Sequence, residues 1–294
     1  MNDIILITGA SGFLGGNLYN FLNNKFDVYA LLNKSNTNKI PKNKSIFCNA
    51  LKFKDLQNNI INLKPKIIIN TIGLANVEKS QTNKNLARNI NINTAVNLAK
   101  ISKKLKIKFI HISTDHLFGF NKSKNSERSA VTLVNNYAKT KYIAEQKVLT
   151  VCPKSLILRT NFFGISQKKN SFAEKILKSL KNEKKINLFS DVFYTPMYIG
   201  DLSKFILILA KSNINGIYNI STDQKISKFE FGIKLAETFG LNKNLIVNSS
   251  ITKKSSLCKR PTNMALSNEK LKKKLNLKTI SINSNLNNFY KCYK

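Results

Sequence analysis

Arginine is scarce, acids are few, and no long apolar run is present. The 294 residues carry 49 Lys and Arg against 15 Asp and Glu, and only Arg88, Arg128, Arg159 and Arg260 are arginines. The net charge of +34 invites a nucleic-acid reading. Nucleic-acid sites favour arginine and interleaved aromatics, and neither is concentrated anywhere here. The lysines are spread along the whole chain, and Lys, Asn and Ile share AT-rich codons, so base composition accounts for the charge. No nucleic-acid partner is expected, although a positive field would attract a small anion. No apolar stretch reaches the length of a membrane helix; Phe205–Ala210 is typical. The N-terminus is strand-like and lacks the basic-then-apolar build of a signal peptide. The expectation is a cytoplasmic protein with no membrane partner. Cys48, Cys152, Cys258 and Cys292 are scattered, with no C-x-x-C pair, and read as reduced thiols. No residues are assigned to a metal.

The length allows one large domain or two lobes with a sizeable core, and an apolar fraction of 42% is ordinary for a globular chain. Strand-like and helix-like stretches alternate. Asp3–Thr8, Asp27–Leu32, Lys66–Asn70, Lys108–Ser113 and Ser155–Arg159 read as strands. Phe13–Asn23, Asp55–Leu63, Asn83–Leu105 and Tyr137–Leu149 read as helices. This alternation predicts an α/β, Rossmann-type, doubly wound parallel sheet. Beyond residue 161 the pattern is mixed, and a smaller C-terminal substrate lobe is expected. Ser171–Leu180, Asp201–Ala210 and Phe229–Phe239 look helical, the last stopped by Gly240. Gly216–Ile220 looks like a strand, and Ser267–Leu275 like a helix with Ser267 as N-cap. The expected division is 1–160, with 200–220 returning to it, against 161–199 and 221–294.

Residues Ile4–Gly16 run from a strand into glycines at 9, 12 and 15 and then an amphipathic stretch. That spacing permits a sharp turn, a close approach to a pyrophosphate, and tight packing of the next helix on the strand. The amides at the helix start would meet the phosphate charge. A lone glycine pattern is weak, but its place directly after a strand is the required context.

Tyr137 and Lys141 lie four residues apart and would share a helix face. A nearby cation stabilises a phenolate and moves its pKa toward the working range. Such a pair also arises by chance on a surface turn of a lysine-rich chain. Upstream, the strand ending at Ser113-Thr114-Asp115 would put Thr114 where doubly wound sheets bind ligands, free to donate to a carbonyl oxygen. Alternatively, Thr114 simply caps the following turn.

Together, Thr8-Gly-Ala-Ser-Gly-Phe-Leu-Gly15, Ser113-Thr114-Asp115 and Tyr137-x-x-x-Lys141 resemble the extended short-chain dehydrogenase/reductase family. Ile112–Gly119, Asn136–Lys141 with Glu145, Leu158-Arg-Thr160, Thr195–Asp201 and Arg260–Ser267 resemble its dTDP-4-dehydrorhamnose reductase branch, to roughly residue 275. The resemblance implies Tyr137 as general acid, Lys141 as its tuner and ribose ligand, and Thr114 as the group orienting the carbonyl. It implies that Gly9, Ser11, Gly12, Phe13, Leu14 and Gly15 surround the pyrophosphate and that Thr71, Ile72 and Gly73 line the ribose side. Asn91 matches a structural asparagine. Asp115, His116, Asn161 and Arg260 would contact the substrate, Arg260 at its diphosphate.

Within the family, dehydratases carry Thr-Asp-Glu, whereas His116 stands third here, which disfavours elimination. Many epimerases carry small residues where Asp115 stands. His116 also replaces the tyrosine usual in the reductases, and Asn49 stands where the family often has Asp near the adenine. His111 reads as structural. No acid ends the second strand, and Lys34 could pair with a 2′-phosphate, so the expected cofactor is NADPH, with NADH as the alternative. The resemblance implies a reductase of a nucleotide-linked 4-keto-6-deoxysugar, dTDP-4-dehydrorhamnose first, feeding polysaccharide biosynthesis. Alternatives are a reductase or epimerase of another nucleotide sugar and a non-catalytic, cofactor-binding regulatory subunit. A homodimer is compatible with either.

Overall fold

The computed structural model describes residues 3–33, 40–120, 123–167, 169–253 and 258–294. Six strands open the chain: β1 (Ile4–Thr8), β2 (Asp27–Leu32), β3 (Ser45–Phe47), β4 (Ile67–Asn70), β5 (Lys108–Ile112) and β6 (Leu156–Thr160). With Gly216–Ile220 they form a seven-stranded sheet in the order Gly216–Ile220, β6, β5, β4, β1, β2, β3. The pairs from β6 through β3 are all parallel. The order reverses between β1 and β4, and ligands of open α/β sheets bind at the carboxyl ends flanking such a reversal. The doubly wound sheet expected from sequence is present.

The strands are near-continuous apolar runs because both faces of the sheet are covered. On one face Leu6, Ile68, Phe109 and Ile157 pack with Leu56 and Ile60 of α2 (Phe53–Leu63), Leu98 and Ile101 of α5 (Thr94–Lys104) and Val148 of α6 (Asn136–Val151). α1 (Phe13–Asn23) buries Leu14, Leu18 and Leu22. Ile4 and Asp27 begin the β1–β2 register, which ends with Thr8 opposite Leu31, so the ends of both strands reach the glycine turn together.

Where the periodicity predicts one helix over Asn83–Leu105, the chain forms α4 (Lys84–Arg88), a wide π-type turn at Asn89–Asn93, and α5. α3 (Val77–Thr82) precedes them. The reason is Asn91. Its buried side chain accepts from Leu74 N–H at 2.7 Å and donates to Thr140 Oγ1 at 2.9 Å, contacts that a regular turn would misdirect.

The chain divides into two compact units. The first comprises Met1–Ser113, Asn135–Leu158 and Ser203–Ile217; the second comprises Thr114–Val134, Arg159–Leu202 and Tyr218–Lys294. Thr114–Val134 therefore groups with the second unit. That unit is organised around aromatics: Phe163 meets Phe231 and Phe289 at ring-centroid distances of 5.0 and 5.6 Å, both edge-on. Helices Phe172–Lys181 and Lys228–Phe239 each begin with a capping box, Ser171/Glu174 and Ser227/Glu230. Gly240 ends the latter in the left-handed conformation, φ 63°.

Two local readings need correction. Ser267 is not an N-cap: the helix runs Glu269–Leu275 with Asn268 at its N-cap. Asn268 is drawn to tertiary partners, donating to Ser221 O and Asp223 Oδ1, both at 2.8 Å, which shifts the helix start. The helices expected from sequence also omit the one at Ile282–Tyr293. Ser281 caps it, and Ile282, Leu286 and Phe289 form its buried stripe among asparagines.

Candidate active site

The glycine turn after β1 leaves no room for side chains at Gly9 and Gly15. Gly9 has φ +77°, and Gly12 N–H donates back to Gly9 O at 2.9 Å. A Cβ on Gly15 would lie 2.4 Å from Gly9 O and 2.6 Å from Thr71 Oγ1. Thr71 Oγ1 is itself tied to Thr8 O at 2.7 Å, so the turn after β4 braces the turn after β1. Gly9, Ser11 and Gly12 line a cavity of about 250 Å³ with Leu31, Asn33, Asn49, Leu51, Thr71, Ile72 and Gly73. Phe13, Leu14 and Gly15 form the first turn of α1, whose N-cap Gly12 offers no side chain to its amides. A cradle that a single Cβ would fill, beside a helix N-terminus without a side-chain cap and a β2 end without an acid, fits a dinucleotide pyrophosphate and its adenosine. Lys34 lies outside the described residues.

Tyr137 and Lys141 stand on successive turns of α6. Asn135 caps this helix, accepting from Ala138 N–H at 2.9 Å, and Asn136 anchors it through Nδ2 to Ser80 O at 2.7 Å. Lys141 is 4% exposed and Tyr137 half-buried. Lys141 Nζ donates to Ile112 O at 2.7 Å and lies 3.4 Å from His111 Nε2. Burial lowers its pKa to about 8, against the opposing pull of Glu145. His111 is wholly buried; burial first, and Lys141 second, hold its pKa well below the imidazole range.

The second unit gathers the other set. Thr114 Oγ1 accepts from His116 N–H at 3.2 Å and donates to Asp115 Oδ1 at 3.3 Å. Asn161 Nδ2 donates to Asp115 Oδ2 at 2.8 Å. Burial raises the Asp115 pKa to about 7, while Lys228 and these hydrogen bonds resist the rise. Lys228, which sequence reading missed, sits with Nζ 3.3 Å from the centroid of the Tyr194 ring. Burial lowers its pKa to about 8; Asp115 opposes the shift and Arg260 adds to it. Burial, with Lys228 and Arg260, lowers His116 to about 3, so its imidazole is neutral at pH 7. Asp115, His116, Asn161 and Arg260 are thus part of one electrostatic cluster with Lys228. The only local signal for Lys228 was the capping box, which places it at the first position of a helix. Thr114 belongs to this unit, and Tyr137 and Lys141 to the first.

Among the described residues, no helix is long and apolar enough to cross a membrane. The sequence matches the model of the family described as "RmlD substrate binding domain" over residues 1–294. It is 29% identical over 282 residues to a dTDP-4-dehydrorhamnose reductase of Aggregatibacter actinomycetemcomitans, covering 89% of this chain and 90% of that protein. It is also 24% identical over 272 residues to methionine adenosyltransferase 2 subunit beta of Danio rerio, covering 89% and 82%. Among solved structures, dTDP-4-dehydrorhamnose reductase of Bacillus anthracis in complex with NADP superposes with a TM-score of 0.85 at 26% identity, covering 99% of each chain. With the parallel sheet and glycine turn described above, these matches show that the chain belongs to the RmlD substrate-binding-domain family, on the extended short-chain dehydrogenase/reductase fold.

Proposed function

We propose that the protein is an NADPH-dependent reductase of a nucleotide-linked 4-keto-6-deoxysugar, with dTDP-4-dehydrorhamnose as substrate and dTDP-L-rhamnose as product. The observation that carries this reading is the buried Lys141, pinned to the Ile112 carbonyl one helical turn beyond Tyr137. In the first unit, Gly9, Ser11, Gly12, Phe13, Leu14 and Gly15 would hold the pyrophosphate, and Thr71, Ile72 and Gly73 a ribose. Bound NADPH would supply a hydride to the sugar C4 carbon. Tyr137 donates its phenolic proton to the ketone oxygen, which balances the reduction to an alcohol. Lys141 stabilises the resulting phenolate until solvent restores the proton. In the second unit, Thr114 would supply a hydroxyl to a substrate carbonyl, and Arg260 with Lys228 would offer two cations to a diphosphate. The β2 end without an acid and the NADP bound by the Bacillus anthracis relative support NADPH over NADH.

The Danio rerio relative, named as a subunit, favours a second reading: a dinucleotide-binding regulatory chain. The test is NADPH oxidation followed by absorbance with freshly generated dTDP-4-dehydrorhamnose, using Tyr137→Phe as control. Turnover by the native chain and a loss of about 10²–10⁴-fold in the variant are expected. NADPH binding without oxidation on this or other keto-sugars would transfer the case to the regulatory reading.

A further inference from the structure

Behind Lys141 lies a buried polar chain whose donors and acceptors can be assigned one by one. Thr8 Oγ1 donates to Asn70 Oδ1 at 2.7 Å, and Ile72 N–H donates to the same oxygen at 3.0 Å. Two donors on one oxygen fix the orientation of the amide. Asn70 Nδ2 therefore faces His111 Nδ1, at 3.0 Å. An amide nitrogen only donates, so Nδ1 accepts and carries no proton. The proton of the neutral ring is then on Nε2, 3.4 Å from Lys141 Nζ. Nε2–H can donate to an uncharged amine; toward an ammonium it is a second donor facing a donor.

We propose that His111 is a positioning residue: Thr8 and Asn70 lock it in the Nε2–H tautomer, and in that form it biases Lys141 toward the uncharged amine while holding Nζ on the Ile112 carbonyl. The end of β4 thereby sets the protonation balance of the Tyr137–Lys141 pair on α6. Among the described residues, these groups face Lys141. Glu145, on α6, favours the ammonium, and Tyr137 stands one turn before it; β5 contributes His111 and the Ile112 carbonyl. β1 and β4 contribute Thr8 and Asn70, which carry no charge. Burial works in the same direction as the tautomer, consistent with a Lys141 pKa of about 8. The consequence for turnover rests on the reductase reading; the tautomer and its effect on Lys141 do not.

The chain has two histidines, His111 and His116, so side-chain ¹⁵N spectra of histidine-labelled protein are simple to assign, with His116→Gln identifying the second ring. Recorded without substrate, the His111 spectrum is expected to show a pyridine-type Nδ1 and a pyrrole-type Nε2. It should remain neutral from about pH 6 to 9, with its Nε2 shift inflecting as Lys141 titrates. In Asn70→Asp the carboxylate accepts from Nδ1–H, the tautomer flips, and Nε2 accepts from the ammonium. The inflection should then move up by about one pH unit. His111→Asn is the second variant, because its Oδ1 can keep the bond from Asn70 while the donor toward Lys141 is deleted. With turnover as readout, both variants should move the alkaline limb of the kcat/KM profile upward. A pyrrole-type Nδ1 in the native protein overturns the proposal. So do an inflection unmoved in Asn70→Asp and an alkaline limb unmoved in either variant. If the native chain fails to turn over, the reductase reading fails, and the substrate-free spectra still decide the proposal.

Discussion

Replacing Gly15 by alanine should damage dinucleotide binding. The added Cβ would lie 2.4 Å from Gly9 O, 2.6 Å from Thr71 Oγ1 and 2.8 Å from Gly9 C. None of these is the loose end of a flexible side chain. Gly9 O accepts the hydrogen bond that closes the turn, and Thr71 Oγ1 is anchored to Thr8 O. Relief requires the turn after β1 to move away from α1, or the turn after β4 to move outward. Overpacking of this kind costs about 1–3 kcal/mol, and the displaced backbone is the surface proposed to meet the pyrophosphate. Since about 1.4 kcal/mol is tenfold in affinity, the NADPH Kd should rise about 5- to 100-fold if that cost falls on the binding surface. The assay is fluorescence titration with NADPH, paired with calorimetric Tm. Gly240→Ala is the control: its φ is +63°, and nothing lies within 4 Å of where the added methyl would sit, so only backbone strain of about 1 kcal/mol is introduced. It should lower Tm slightly and leave the Kd alone. Native affinity in Gly15→Ala, or equal loss in both variants, would refute the steric account of the cradle.

Asn91→Ala should destabilise the protein by roughly 1–3 kcal/mol, read by urea denaturation, because the Leu74 amide and the Thr140 hydroxyl both lose a buried partner. The Lys141 pKa, lowered from 10.5 to about 8, means that between these values the unfolded chain holds more protons than the folded one. Stability therefore rises with pH across that window, by up to ~3 kcal/mol from this group. The native-minus-Lys141→Met stability difference should show that slope, and a flat difference would contradict it. For Asp115, raised from 3.8 to about 7, the sign reverses: the folded state holds the extra proton, and stability falls as pH rises through that range. Lys228→Met removes the charge that restrains this pKa, so the fall should extend to higher pH in a thermal-melt series.

What the sequence made legible was whatever depends on local spacing. α1 and β2 have the bounds expected from periodicity, and the glycine turn lies where its spacing puts it, because a sharp bend, a strand end and a helix start are decided within a few residues. By spacing alone Asn91, a polar side chain inside a helical period, looks like a surface position; only the family resemblance marks it as structural, and its partners Leu74 and Thr140 arrive from elsewhere in the chain. The same holds for Asn268, whose partners Ser221 and Asp223 lie some 45 residues away and displace the helix start expected at Ser267. Lys228 was hidden by composition: in so lysine-rich a chain, one buried lysine has no distinguishing neighbourhood. His111 alternates with strand residues and so reads as structural, and nothing local tells that its two nitrogens face an amide and an amine.

The two readings of function make different demands on the same residues. A chain that only binds a dinucleotide needs the glycine turn, the Thr71 brace and a cation near a ribose, and all three would work with any residue at 137. Reduction of a ketone needs a proton delivered in step with the hydride, and a phenol of ordinary pKa yields it slowly at neutral pH. The reductase reading assigns that task to the buried Lys141 four residues on. Its electrostatic effect on a phenolate is not screened as it would be at the surface. Binding measurements alone therefore leave the readings level, and the decisive quantity is the ratio between NADPH affinity and turnover in Tyr137→Phe. A reductase loses turnover and keeps affinity, whereas a regulatory chain shows no turnover to lose.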